Sequence, residues 1–371
     1  MHPTPAPVSS GVAWRGVEGT GNLIVSDPLV ISVDAMGGDH GPSVIVPAVA
    51  RAGAMLRGRA RFLLHGDRDQ IEAALAKITD ARTCCEVRHS AGIIAMDAKP
   101  AQAMRRGKGS SMWNAIESVK AGEAAAAVSG GNTGALMAIS RLLLRMIGDL
   151  DRPALVANWP TLAGVTSVMD VGANVLCDAD RLVEFAIMGT AYHRAAHGVE
   201  RPTVGILNVG TEHEKGHEEV READRMLREG GLDLDYRGFV EGDDIAKGVV
   251  DIVVTDGFTG NVALKTAEGL ARFFRAELRK TFTASVMGRL GALIARGSLR
   301  KMSDRLNPSA INGGPFLGLN GVVVKSHGGA DVSGFANAIC LAAELGGSAI
   351  IAEVTHTLGC RVTPDVGPRG V

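Results

Sequence analysis

The chain has 371 residues, 46% of them hydrophobic, enough to bury a large core in one large α/β domain or in two smaller ones. Its 39 Lys and Arg balance 40 Asp and Glu for a net charge of −1, and only 4% of residues are aromatic, so composition gives no footprint for nucleic acid. Five cysteines without a C-x-x-C pair exclude a disulfide framework and a cysteine-rich zinc site, and fit a reducing cytoplasm.

Residues 1–28 are rich in Pro, Gly and Ser and read as a flexible tail, without the basic-then-apolar pattern of a signal peptide. No apolar run approaches the roughly 18 residues of a membrane-spanning helix. From Leu29 onward a short apolar run ending in a polar, glycine-rich turn recurs, with helical spacing in between. The runs are LVISVDAMGGD, ARFLLHGD, AAAAVSGGNTG, VTSVMDVGAN, TVGILNVGTE, GFVEGDD, VDIVVTDGFTGN and GVVVKSHGG. Strands buried on both faces read this way, and their alternation with helices predicts βαβ units. The expected fold is an α/β three-layer sandwich with a mainly parallel sheet, its catalytic part spanning 29–358 in one domain of one or two lobes, and 359–371 forming a C-terminal tail.

Ligands in such sheets bind beyond the carboxyl ends of the strands. Four glycine turns are expected to converge there: DAMGGDHGP (34–42), SGGNTGA (129–135), NVGTEHEKG (208–216) and TDGFTGN (255–261). Backbone N–H groups close to a helix start hold phosphate or another anion without a dedicated side chain. None of these turns is G-x-G-x-x-G, and no G-x-x-x-x-G-K-[ST] occurs, so standard dinucleotide and P-loop sites are excluded.

The charged groups near these turns are Asp34, Asp39, Lys99, Lys215, Asp256, Lys265, Lys325 and His327. Asp34 and Asp256 close strands, where capping a helix competes with acid–base work. His327 either donates to an oxyanion or is bonded to its own turn. Lys99 and Arg105, before the helix from Ser110, form an anion-binding turn or a solvated loop. Cys177 has no neighbouring histidine that would activate it as a nucleophile.

The stretch HEKGH (213–217) fits H-E-x-x-H, yet a zinc site of that kind requires helix, and here a strand-ending run precedes it and Gly216 lies within it. A loop leading into the helix EEVREADRMLRE is expected. From Leu270 to Arg305 apolar residues recur every three to four positions, among nine basic and two acidic residues. Such a basic amphipathic region lies on an anionic membrane, docks an acidic partner, packs on a core or joins two subunits.

In this order, VDAMGGD, SGGNTGALMA, SVMDVGAN, EFAIMG, NVGTEHEKG, GFVEGDDI, VVTDGFTGNVALKTAEG and LGLNGVVVKSHGGAD resemble the phosphate acyltransferases of bacterial phospholipid synthesis over residues 29–358. The resemblance implies a fold similar to the isocitrate/isopropylmalate dehydrogenases and to phosphotransacetylase. It also implies a cytoplasmic homodimer, peripherally associated with the membrane, that makes acyl phosphate from acyl-acyl carrier protein and inorganic phosphate, supplies glycerol-3-phosphate acylation, and needs neither cofactor nor metal. The same resemblance implies proximity to the membrane glycerol-3-phosphate acyltransferase.

Within that reading Gly37, Gly38, Lys99, Gly130, Gly131, Asn132 and Thr133 are expected to bind phosphate, helped by Lys99 or Lys215. Asp34, Asn174, Asn208, Gly210 and Thr211 are expected to bind the rest of the substrate. Lys215, Asp256, Asn261, Lys325 and His327 are the candidate catalytic residues. Two rivals are a decarboxylating NAD-dependent dehydrogenase on the same fold and a non-catalytic scaffold joining carrier protein to membrane. The first needs an aspartate cluster and an arginine set that the Asp turns do not clearly supply, and the second leaves the glycine turns unexplained.

Overall fold

The computed structural model describes residues 28–78, 82–305 and 312–359, so the tails expected at 1–28 and 359–371 lie outside the described residues except for Pro28 and Gly359, the last residue of the final helix. In chain order, β1 (Leu29–Asp34), α1 (Pro42–Met55), β2 (Ala60–Gly66), α2 (Arg68–Leu75) and β3 (Cys85–His89) are followed by α3 (Pro100–Arg106), α4 (Ser111–Lys120), β4 (Ala126–Ser129) and α5 (Thr133–Leu144). The middle of the chain forms a hairpin, β5 (Ala154–Pro160) and β6 (Val165–Met169), then α6 (Ala179–His197), β7 (Thr203–Leu207), α7 (Glu218–Glu229), β8 (Asp235–Val240), α8 (Gly242–Lys247) and β9 (Ile252–Val254). Three consecutive helices, α9 (Gly257–Thr283), α10 (Val286–Ile294) and α11 (Arg296–Arg305), precede β10 (Gly314–Leu317), β11 (Val322–Lys325), α12 (Val332–Gly346) and α13 (Ile350–Gly359).

Among the described residues the strands join in one eleven-stranded sheet in the order β3-β2-β1-β4-β11-β10-β5-β6-β9-β7-β8, with helices flanking it. Most neighbours are parallel, as expected from the continuous apolar runs. The antiparallel pairs are β11–β10, β10–β5 and β5–β6. Three reversals turn the second half of the sheet round, so β6, β9, β7 and β8 run opposite to β3, β2, β1, β4 and β11. This corrects one expectation: the four glycine turns do not all lie at one end. The turns after β1 and β4 share an end with the one after β11, and those after β7 and β9 share the other with the one after β6. The sequence reading missed the connector strands because β5 carries Asn158 and ends on Pro160, while β10 is four residues long and opens on Gly-Pro.

The core lies on both faces of the sheet. Ile31, Val33, Phe62, Leu64 and Val128 are fully buried, as are Tyr192 and Phe185 of α6 and Ile339 of α12. No single described helix is long and apolar enough to cross a membrane. The basic stretch from Leu270 is helical, as its spacing predicts, but breaks at Ala284 and Ala295 into three segments. No residue of α10 is buried, and Phe273 (59%), Val286 (79%), Leu293 (65%) and Ile294 (80%) are largely exposed.

Candidate active site

The first group of turns is built by three adjacent parallel strands, with Val33 of β1 and Val324 of β11 both level with Val128 of β4. Asp34 ends β1 with 1% of its surface exposed. Its Oδ2 accepts from the Ser129 hydroxyl at 2.6 Å and its Oδ1 from the Met36 N–H at 3.3 Å. Ser129 Oγ in turn accepts from the Gly131 N–H at 3.0 Å. Burial pushes the Asp34 carboxyl up, opposed by the hydroxyls of Ser129 and Ser111. Asp34 therefore neither caps a helix nor faces solvent; it fixes the two turns to each other.

These turns need glycine because they touch. A Cβ at Gly37 would stand 2.5 Å from Asp34 Oδ2 and 2.9 Å from the Gly131 nitrogen, and one at Gly38, whose φ is +90°, 2.7 Å from the Gly328 carbonyl. The Gly131 N–H, expected to serve phosphate, is already taken by Ser129. The first turn of α5 is open to a ligand: it is capped by Asn132 Oδ1 on the Ala135 N–H at 2.8 Å, and its Thr133 and Gly134 N–H groups have no intrahelical acceptor. Lys99 stands beside this turn, because the Cγ of its neighbour Pro100 lies 2.9 Å from where Gly134 would carry a Cβ.

Lys325 ends β11 between these turns. Its Nζ donates to the Gly130 carbonyl at 3.3 Å and to the Ser326 carbonyl, and among the described residues no carboxylate pairs with it. Burial, helped by the Lys265 charge, lowers its pKa to about 8, against the pull of Asp34 and Asp39. Asn312 ties the next peptide, its Oδ1 accepting from the His327 N–H at 3.0 Å and its Nδ2 donating to Ser326 Oγ at 2.7 Å. The Gly329 N–H donates to His327 Nδ1 at 3.1 Å, which leaves Nε2 to carry the proton of the neutral ring. Burial and then Lys265 lower the His327 pKa, so the neutral form prevails at pH 7.

The second group is organised by Asp170, fully buried just after β6. Its Oδ1 accepts from the N–H groups of Leu155 (3.1 Å), Gly172 (3.1 Å) and Ala173 (3.0 Å). Its Oδ2 accepts from the Asn174 N–H (2.6 Å) and Nδ2 (2.9 Å). Asn174 is thus held in place, with Nδ2 also donating to the Pro153 carbonyl, and its buried Oδ1 has no partner among the described residues. Asp256 caps α9, accepting from the Thr259 N–H at 2.8 Å and hydroxyl at 2.7 Å. Burial and the charges of Asp170 and Asp256 push the thiol of Cys177, in the same loop, up to about 12, which disfavours the thiolate that a nucleophile needs.

Residues 208–217 form a loop, as expected, with His217 at the N-cap of α7 and Gly216 at φ +89°, so the two imidazoles are not one helical turn apart. The loop is closed on itself. Asn208 Nδ2 donates to the Lys215 carbonyl at 3.0 Å, and the Lys215 chain folds over Gly210 to pair with Glu212 at 2.8 Å. That hydrogen bond raises the Lys215 pKa and lowers that of Glu212. Thr211 is exposed at its tip. Lys215 therefore lies with the second group, away from the turns where Lys99 stands.

Helix α9 connects the two groups. It starts at the Asp170 loop, where a Cβ at Gly257 would stand 2.6 Å from the Asn174 carbonyl and one at Gly260 even closer to that of Asp170. Asn261 lies beside Gly172, whose Cβ position is 3.8 Å from its side chain. One turn on, Lys265 is near enough to Lys325 and His327 to shift both, and Glu268, bound to Lys265 at 3.0 Å, acts on His327 in the opposite sense. Gly37, Gly38, Gly130, Gly131, Asn132, Thr133, Lys99, Lys325 and His327 thus come together; Asn174, Asp256 and Asn261 gather at the start of α9; Asn208, Gly210, Thr211 and Lys215 form a separate loop. Sequence reasoning missed Ser129, Asp170 and Asn312. Asp170 sits inside VMDVGAN, but only its five contacts reveal that it organises the loop.

Comparison with known proteins agrees with this architecture. Residues 29–353 match the family described as "Fatty acid synthesis protein". The protein named phosphate acyltransferase of Caulobacter vibrioides is 66% identical over 90% of this chain and 92% of its own, and that of Phenylobacterium zucineum 61% over 90% and 95%. A phosphotransacetylase from Streptococcus pyogenes has the same fold, with a TM-score of 0.58 at 17% identity over 86% of this chain and 94% of its own. Identity at these levels along nearly the whole described chain places it in the phosphate acyltransferase family.

Proposed function

We propose that the protein transfers the acyl group of acyl-acyl carrier protein to inorganic phosphate, supplying acyl phosphate for the acylation of glycerol 3-phosphate in phospholipid synthesis. Residues 29–358 are the catalytic unit in this reading. The observation that carries it is Lys325, a cation between two glycine turns and beside an open helix N-terminus, with a pKa of about 8 and no carboxylate partner among the described residues. A dianion recruited from solution fits such a place.

Phosphate binds at the Thr133 and Gly134 N–H groups, with Lys325 and Lys99 supplying positive charge. One of its oxygens attacks the thioester carbonyl carbon. The carbonyl oxygen gains charge and is met by the Nε2–H of neutral His327. As the intermediate collapses, the carbon–sulfur bond breaks, and the carrier-protein thiolate leaves and takes up a proton from water. Asn261, Lys265 and the Asn174 loop form the opposite wall. Phosphate is already an anionic nucleophile and the thiolate a fair leaving group, so positioning and charge stabilisation suffice.

The same reading makes the protein a cytoplasmic homodimer that rests on the membrane. Support comes from α9–α11, where nine basic residues within Leu270–Arg305 accompany exposed Phe273, Phe274, Val286 and Ile294. Such a helical surface seats its apolar side chains among lipids while its cations meet anionic headgroups.

The test is release of free thiol from acyl-acyl carrier protein with and without inorganic phosphate, the acyl group being trapped by hydroxylamine. Phosphate-dependent release is expected. Release that ignores phosphate would overturn the reaction, and NADH formation in a substrate screen would favour a dehydrogenase. Because His213 and His217 lie on a loop, the double variant H213A/H217A is expected to stay within about twofold of the parent rate, with or without a chelator. A chelator-dependent loss restricted to the parent would show metal at that loop.

A further inference from the structure

We infer that the acyl chain of the thioester lies between two apolar edges of this site, the loop carrying Ile93 and Met96 and the first turns of α9 carrying Phe258 and Val262, and that these four side chains set chain-length preference. The inference rests on the acyltransferase reading and adds to it where the fatty chain goes.

Four observations support it. Met96 is tied to the reaction turns twice: its carbonyl accepts from Asn132 Nδ2, and its Cε lies 3.0 Å from where Gly328 would carry a Cβ. It is nonetheless 45% exposed, and Ile93 57%. On the other side, Phe258 and Val262 are 63% and 51% exposed. At helical spacing Phe258, Asn261, Val262 and Lys265 share one side of α9, and Lys265 is close enough for its charge to act on Lys325 and His327.

Apolar groups left open on both flanks of a polar reaction centre call for an apolar ligand, because water gains nothing from them. The occupant on offer is the substrate's own chain. Its carbonyl is bound to phosphate-side polar groups at one end, so the methylenes beyond it must leave along the edges next to Gly328 and Lys265. A second copy of the chain or the carrier protein's own surface are the other occupants, and each gives a different result below.

The experiment measures kcat/KM for phosphate-dependent thiol release from acyl carrier proteins loaded with six-, ten- and sixteen-carbon chains. The parent is compared with Met96→Ala, Phe258→Ala, Met96→Trp and, as a distant control, Met55→Ala, which lies at the end of α1. The ratio of long-chain to short-chain kcat/KM is expected to fall about tenfold in Met96→Ala and in Phe258→Ala and to stay put in Met55→Ala, with Met96→Leu restoring the parent ratio. Met96→Trp should shorten the preferred chain.

Rates that change equally for all three lengths, or not at all, would overturn the inference while leaving the acyltransferase reading intact. So would a Phe258→Ala variant that becomes monomeric in sedimentation, which would give that flank to a second copy. A higher KM for carrier protein at every length would give it to the carrier's surface, and would overturn the inference as well. If the parent releases no thiol in response to phosphate at any length, the reading itself fails and the inference falls with it.

Discussion

Replacing Lys325 by alanine is expected to lower kcat/KM for phosphate-dependent thiol release by about 10² to 10³-fold, the usual cost of removing a preorganised charge from a developing oxyanion or a bound phosphate. The loss should appear in the KM for phosphate as well as in kcat, because this ammonium, held by the Gly130 and Ser326 carbonyls, serves the phosphate before and during attack. The pKa of about 8 gives the pH dependence. Activity that needs the cation falls as pH rises through about 8, and Lys325→Arg, if active, should hold its rate to higher pH. Stability moves the other way. Burial lowers the Lys325 pKa in the folded chain, whereas the unfolded chain keeps its proton to about 10.4. Between those values the unfolded state binds more protons, so stability rises with pH across the window. Thermal melts of the parent and Lys325→Met from pH 7 to 10.5 should therefore converge. A pH–rate profile flat through 9 together with an unchanged phosphate KM in Lys325→Ala would remove Lys325 from the site.

The sequence made the glycine turns and their helices legible because both have local causes. A β-branched run favours a strand, a glycine doublet after it favours a turn, and an aspartate closing a strand favours a cap, as Asp256 provides for α9; Asn132, read only as a phosphate ligand, caps α5 as well, while Asp34 caps nothing. The basic face from Leu270 was legible for the same reason. The relation between the two halves was not. It depends on β5 and β10, short strands broken by Asn158, Pro160 and Gly314–Pro315, whose antiparallel pairing reverses the second half of the sheet. Non-local pairing leaves little trace in composition. The same holds for the residues that organise the site. Ser129 and Asn312 look like ordinary polar turn residues, and only the Asp34–Ser129–Gly131 and His327–Asn312–Ser326 contacts distinguish them. Lys215 shows the converse: a lysine in a strong motif whose charge is engaged locally by Glu212.

Replacing Asp170 by alanine is expected to destabilise the fold by about 3 to 5 kcal/mol, the range for a buried charged acceptor whose donors are left behind. Four backbone N–H groups and one carboxamide converge on its two oxygens, and N–H groups can only donate, so the carboxylate must accept at both. Burial raises its pKa and the N–H groups oppose this, so the fold holds the carboxylate where its charge is costly and its hydrogen bonds offset that cost. Water cannot readily replace it, because the loop closes against Gly257 and Gly260, where any Cβ would strike the Asn174 or Asp170 carbonyl. Asp170→Asn keeps the shape but turns an N–H toward donors, and should cost nearly as much. Both can be read by urea denaturation monitored through the far-ultraviolet circular dichroism. A loss below about 1 kcal/mol in Asp170→Ala would mean that the loop rearranges and that α9 does not depend on it. The larger loss would tie the two halves of the site together physically, since the helix that carries Asn261 and Lys265 toward Lys325 takes its starting position from this one carboxylate.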